Sequence, residues 1–383
     1  MRLVRSLSVL AIVACLGFAL SVGSAVAKTT DAQVLKGLEG LVTSPGGPPG
    51  AIATLYRDGK LTTLSTGRAD IRKSAKPRAT DHMRIASVAK AFSGAVALNL
   101  VRSGQLSLDD TIEGVVPTLP KAWGKVTLRQ LLNHTSGVPD YTTSKPFIEH
   151  AQTKPRAYVP PKEIISWVEK DPLAFKPDSK YEYSNTDNIV VGLMVEAVTK
   201  GSYTNALQKI VLGPAKLTQT SLPTKIKIPT PFIHGYEVPA EKEEVDVSEV
   251  LNPSGAWASG AIISTPQNLN AFIRADLGLQ FFDKAEQEQQ MKWWPGGESS
   301  PPGPGKNSAG LALFRYQTKC GTVYGHTGNV LGYTQFALST LNGSRSATVS
   351  VDIQATQDSK GAKVLAVQQL RRVVQAAVRT ATR

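Results

Sequence analysis

The chain has 383 residues, with 43 Lys and Arg against 30 Asp and Glu, a formal net charge of +13. The basic residues are scattered, with no aromatic-interleaved patch or recognition motif, which sets nucleic acid aside as a partner. Five histidines with neither H-x-H nor H-E-x-x-H spacing set aside a hydrolytic zinc centre, and the sequence carries no cofactor signature. Arg2 and Arg5, the apolar run Leu7 to Leu20 and the small-residue pattern Ala25-Val26-Ala27 together read as a secretory leader cleaved after Ala27. That run is short for a membrane span and ends at a cleavage pattern, not a charged stop. Ile12-Val13-Ala14-Cys15 offers the alternative of a lipid-anchored cysteine, but the chain stays apolar through Leu20, where a polar tether would follow. The expectation is an exported protein with no stable membrane span. Losing the leader removes two arginines, taking the net charge to +11, and leaves Cys320 alone, with no disulfide framework. Such a basic surface suits an anionic cell wall or membrane face, or solubility alone.

Downstream, Ala51 to Tyr56 and Lys60 to Leu64 flank Arg57-Asp58-Gly59, the pattern of an antiparallel hairpin on an Asp-Gly turn. Ala86 to Ser103 is helical in pattern and stops at Gly104. Helical segments and polar loops fill the chain to about residue 250. Strand-like runs return at Gly260–Ser264, Gly310–Phe314, Thr334–Leu338 and Ala347–Val351, and Pro295 to Gly305 reads as an unstructured loop. Val364, Val367, Leu370, Val374 and Val378 share one face of a last helix. The fold class expected is mixed α and β: an antiparallel sheet lobe, about 28–90 and 255–383, interrupted by a helical insertion, about 91–254.

Three short stretches carry chemistry. Ser87-Val88-Ala89-Lys90 opens the apolar helix, and S-x-x-K occurs once in the chain. Residues three apart share a helix face, so Lys90 can reach Ser87, whose hydroxyl needs a neighbour to take its proton. At a helix start, free N–H groups also favour developing negative charge. A cap serine followed by a solvated lysine would look the same. Tyr183-Ser184-Asn185 precedes the apolar run Ile189 to Val198. A phenol beside a lysine can ionise more easily and act as general base, and Asn185 offers a donor and an acceptor. Tyr203-Thr204-Asn205 repeats the pattern inside a helical stretch and reads as a decoy. His326-Thr327-Gly328, followed by Asn329, lies on a late strand whose glycines permit close approach to a ligand. The Asn329 N–H could join that of Ser87 as an oxyanion hole. His134 reads as structural.

In that order, with Tyr183 about a hundred residues beyond Ser87, the three stretches resemble the penicillin-recognising serine hydrolases, the DD-peptidase and class C β-lactamase superfamily. Thr127–Tyr141, Gly255–Ser264 and Gly325–Tyr333 are also similar to stretches of that family. The resemblance implies an acyl-enzyme on Ser87, with Lys90 and Tyr183 sharing base and acid roles, and Asn185 holding the substrate. It places His326 and Thr327 on the substrate's carboxylate side, Gly328 and Asn329 among the substrate-binding residues, Trp257 as a wall, and Arg315 as a further carboxylate partner. Histidine where many β-lactamases keep a fixed positive charge favours a peptidase or esterase, since imidazole is only partly protonated near neutrality. The expected function is a D-alanyl-D-alanine carboxypeptidase acting on wall peptides. An esterase, D-amino-acid amidase or β-lactamase of the same fold, and a catalytically silent wall-binding protein, are the alternatives. A Ser-His-Asp hydrolase is disfavoured, because no G-x-S-x-G elbow exists.

Overall fold

The protein is described by a computed structural model over residues 31–239, 243–355 and 362–382. The expected leader, with Cys15, lies outside these residues. Strands β1 (Gly50–Arg57) and β2 (Lys60–Gly67) form the expected hairpin. Asp58 and Gly59 both take positive φ, 52° and 76°, the primed-turn geometry that follows the strands' right-handed twist. With β3 (Trp294–Pro295), β4 (Lys306–Ala309), β5 (Phe314–Thr318), β6 (Gly321–Val330), β7 (Tyr333–Ser339) and β8 (Ser346–Val351) they make one antiparallel sheet. Its order is β2-β1-β8-β7-β6-β5-β4-β3. The longer helices are α1 (residues 31–42), α2 (Ala89–Arg102), α3 (Asn185–Thr199), α4 (Pro266–Leu277) and α5 (Ala362–Thr382).

The two faces of the sheet are built differently. Ala51, Ala53 and Leu55 of β1 and Ala347, Val349 and Val351 of β8 turn to one face, under α1 and α5. Val34, Leu38, Leu370 and Val374 meet them there, each at most 3% exposed; burying such a side chain stabilises the fold by roughly 1.5–3 kcal/mol. Val378 is buried on the same helix face and Val367 partly so; the Val364 side chain is outside the described residues. The opposite face carries polar residues that bond to one another and to α4. Thr54 and Thr348 hydroxyls bond at 2.6 Å, and Asn270 of α4 accepts from Ser346 Oγ at 2.8 Å and donates to Thr54 O at 3.2 Å. Beyond α4, α2 and α3 pack with shorter helices around Phe92, Leu98, Leu131, Ile164, Val191 and Leu207.

Three expectations fold otherwise. Of Gly260–Ser264 only Ile263–Ser264 is strand, paired with Met83–Arg84, behind the helical turn Trp257–Gly260. Of Gly310–Phe314 only Phe314 is strand, and Gly310–Leu313 turns a buried corner between β4 and β5: Gly310 N–H donates to Leu313 O at 2.7 Å, and Ala312 has φ 54°. A dry corner and a buried strand both demand apolar residues, so periodicity cannot separate them. Pro295–Gly305 is ordered rather than loose, starting in β3 and burying residues 301–304. Asn307 staples it, accepting from Gly303 N–H at 3.0 Å and donating to Gly305 O at 2.8 Å.

Candidate active site

Ser87 sits in the 3₁₀ turn Ala86–Val88 that leads straight into α2. Ala86 has φ +49°, a left-handed conformation costing a non-glycine residue about 1–3 kcal/mol. Strand β6 is pressed against this turn: a Cβ on Gly328 would stand 2.3 Å from Ile85 O and 3.2 Å from Ser87 N. Only glycine at 328 allows main chain to meet main chain there.

One helical turn on, Lys90 is fully buried. Its Nζ donates to Ser87 Oγ at 3.1 Å, Asn185 Oδ1 at 2.8 Å and Ser259 O at 2.9 Å. Burial pushes the ammonium down to about 7, against the opposing pull of the Asp140 and Asp187 carboxyls. Near neutral pH the amine therefore exists in both forms beside the serine, as a general base requires. Asn185 opens α3, and its Nδ2 donates to Asp140 Oδ2 at 3.0 Å, which fixes its carbonyl towards the lysine. Asp140 is itself held by capping the turn Tyr141–Thr143, accepting from Thr142 N–H at 3.0 Å.

Tyr183 brings its ring centre to 4.9 Å from Lys90 Nζ. Its buried hydroxyl has no hydrogen-bond partner among the described residues. Burial pushes the phenol well above its ordinary range, only partly offset by Ser87. This runs against the expectation of an easily ionised phenol: burial favours the protonated form of Tyr183, as it favours the neutral form of Lys90. Behind it, the His134 ring packs at 4.4 Å, with Nδ1 2.8 Å from Asp187 Oδ2, and Ser136 Oγ donates to Asp187 Oδ1 at 2.5 Å. Burial pushes the imidazole down and the carboxyl up, and the pair lies behind Tyr183 as a structural contact.

On β6, His326 and Thr327 are fully buried. Burial and nearby Lys90 push the imidazole down to about 3, so it is neutral through the working range, not partly charged as expected. Nδ1 lies 2.5 Å from Thr327 O. Thr327 Oγ1 donates to Pro301 O at 2.6 Å and also meets Ser299 Oγ. The Asn329 side chain donates to Ala355 O and accepts from Thr334 Oγ1, both at 2.8 Å.

Two expected residues lie apart from this cluster in their contacts. Trp257 rests its indole where a Cβ on Gly192 would be, 2.6 Å from the ring, and edge-on to Tyr203 at 5.4 Å, so it packs, partly buried, against the helical core. Arg315, opposite Tyr324 on β5, stacks on Trp293 at 5.1 Å and donates to Ser308 Oγ at 3.3 Å. The second Y-x-N match is a packing element: Tyr203 is buried against Trp257. Sequence reasoning missed Ser259, whose contribution is a carbonyl with no side-chain signal, and Asp140, which lies within the family-like Thr127–Tyr141 stretch. Among the described residues, no cluster of three or more His, Cys, Asp or Glu is placed to hold a metal ion, and no helix is long and apolar enough to cross a membrane.

The chain matches the Beta-lactamase family over residues 38–365. It is 32% identical to the "Protein flp" of Staphylococcus aureus (strain N315) over 178 residues, 45% of this chain and 34% of that one. The chain thus spans about a third of that relative's length. Among solved structures it is similar to a D-stereospecific amidohydrolase from Streptomyces sp., with a TM-score of 0.75 and 27% identity over 89% of this chain and 98% of the other. The D-amino acid amidase of Ochrobactrum anthropi SV3 shares the fold, with a TM-score of 0.78 and 22% identity over 91% and 98%. The chain belongs to the Beta-lactamase family and is a serine hydrolase of that fold.

Proposed function

We propose that this hydrolase cleaves amide or ester bonds of small D-amino-acid derivatives and short peptides through an acyl-enzyme on Ser87. The observation that carries this reading is Lys90, dry, held by three oxygens including that of Ser87, and poised near neutrality. Ser87 Oγ bonds to the substrate carbonyl carbon as its proton passes to neutral Lys90 Nζ. The N–H groups of Ser87 and Asn329 stabilise the oxyanion. When the bond to the leaving nitrogen or oxygen breaks, that atom takes a proton from Tyr183, which Lys90 restores. Water then attacks the acyl carbon by the same route in reverse and frees Ser87. The likeness to a D-stereospecific amidohydrolase supports D-configured substrates. A D-alanyl-D-alanine carboxypeptidase is the second reading, favoured by the His326-Thr327-Gly328 run. The proposal includes export by the leader, so the secreted protein should begin at Lys28, as N-terminal sequencing would show.

Intact mass spectrometry tests the nucleophile. Mixed with benzylpenicillin or an activated D-alanine ester, the protein should gain one acyl mass, and Ser87→Ala none. An adduct that survives Ser87→Ala moves the chemistry to another residue; no adduct with either reagent removes the acyl-enzyme reading.

A further inference from the structure

Two hydrogen bonds join α2 to α3 among the described residues. The first lies in the site, from Lys90 Nζ to Asn185 Oδ1 at 2.8 Å. The second lies one turn further along both helices: Asn188 Nδ2 donates to Ser93 Oγ at 2.5 Å. Ser93 follows Lys90 by three residues and Asn188 follows Asn185 by three, so the two bonds are successive rungs between the same helix faces. Ser93 Oγ in turn donates to Lys90 O at 2.9 Å, which ties the second rung to the main chain of the lysine itself. Ser93 and Asn188 are each at most 1% exposed.

Much of what these helices otherwise bury is apolar, Phe92 and Val96 on α2 and Ile189 and Val191 on α3. Apolar packing resists separation but has no direction, so alone it permits sliding. A hydrogen bond holds only within a few tenths of an ångström. We propose that Ser93 and Asn188 are positioning residues for the reaction: their bond sets the register of α3 against α2 and so holds the Asn185 amide where it fixes Lys90 beside Ser87. This inference rests on the acyl-enzyme reading and adds two residues to its machinery. Without that bond, Asn185 Oδ1 drifts from Lys90 Nζ, and the ammonium loses one of its three acceptors. Losing an acceptor disfavours the charged form, so the break near 7 moves to lower pH while the plateau rate falls. The titratable groups facing Lys90, namely Asp140, Asp187, Tyr183 and His326, are the same in the variants below.

The test compares Asn188→Leu, similar in shape but without the amide, with the double variant Ser93→Ala/Asn188→Leu, using the phenyl ester of N-acetyl-D-alanine. Asn188→Leu should slow single-turnover acylation about tenfold and move the break in its pH profile to lower pH. The double variant separates positioning from stability. It leaves neither polar atom of the pair without its partner, so its thermal midpoint should return towards that of the wild type. Its acylation should stay about tenfold slow, with the break still shifted. Should Asn188→Leu not fold, the double variant carries the same comparison. A wild-type break in either folded variant, or a double variant that regains rate together with stability, overturns this inference alone. No acylation of the wild-type protein overturns the acyl-enzyme reading and this one with it.

Discussion

Lys90 and Asp276 are equally dry, at most 1% exposed, yet the fold treats them in opposite ways. Lys90 is surrounded by acceptors: the Ser87 hydroxyl, the Asn185 amide and the Ser259 carbonyl. Two carboxyls, Asp140 and Asp187, limit its fall, and it settles at about 7. Asp276, near the end of α4, has no partner for either carboxyl oxygen among the described residues, and burial alone pushes it up to about 8. Desolvation neutralises both groups. The two values lie close together, so the value does not separate them; the partners do, since Lys90 is held against a serine hydroxyl and Asp276 against no partner among the described residues.

Substitutions can break that contrast from either side. Lys90→Met removes the base and should lower kcat/KM for the D-alanine ester by about 10³-fold or more, with the far-ultraviolet circular dichroism unchanged. Tyr183→Phe should slow acylation by about 10²-fold in a single-turnover assay, as expected for a lost proton donor. An unchanged rate would assign the whole relay to Lys90. Asp140→Asn should cost about tenfold, through the loosened Asn185, and shift the acidic limb of the pH–rate profile to lower pH, because a charge that favours the ammonium is gone. Asp276→Asn should leave activity alone and change stability. The folded carboxyl titrates near 8 against an ordinary 3.8, so its contribution is fully present below about pH 4 and is lost as pH rises to 8. Urea midpoints at pH 5 and 8 should therefore fall with pH in the wild type and less so in the variant.

Much of this was legible in the sequence where local rules act alone. The Asp58-Gly59 hairpin, the helix behind Ser87 and the apolar face of α5 follow from turn chemistry and periodicity. The Ser87–Lys90 contact follows from helical stride, and the buried His134–Asp187 contact behind Tyr183 agrees with a structural histidine. Several features were not legible because they depend on what the chain folds against. The apolar run at Gly310–Phe314 is mostly a corner, since Ala312 N–H meets Leu132 O across the fold. Pro295–Gly305 has the composition of a loose loop but is ordered by Asn307 and Thr327. Trp257 is aimed by the absence of a side chain at Gly192. The direction of the Tyr183 shift depends on burial, which a pattern of residue types does not carry.

The central claim is that Lys90, near neutrality in its buried setting, activates Ser87. The direct test is the rate of Ser87 acylation by the D-alanine ester from pH 5 to 10, followed by intact mass in rapid quench. The account predicts a rate that rises about tenfold per pH unit up to about 7 and then levels, with no adduct on Ser87→Ala. A rate that keeps climbing to the ordinary range of lysine, or a break that persists in Lys90→Met, would contradict it.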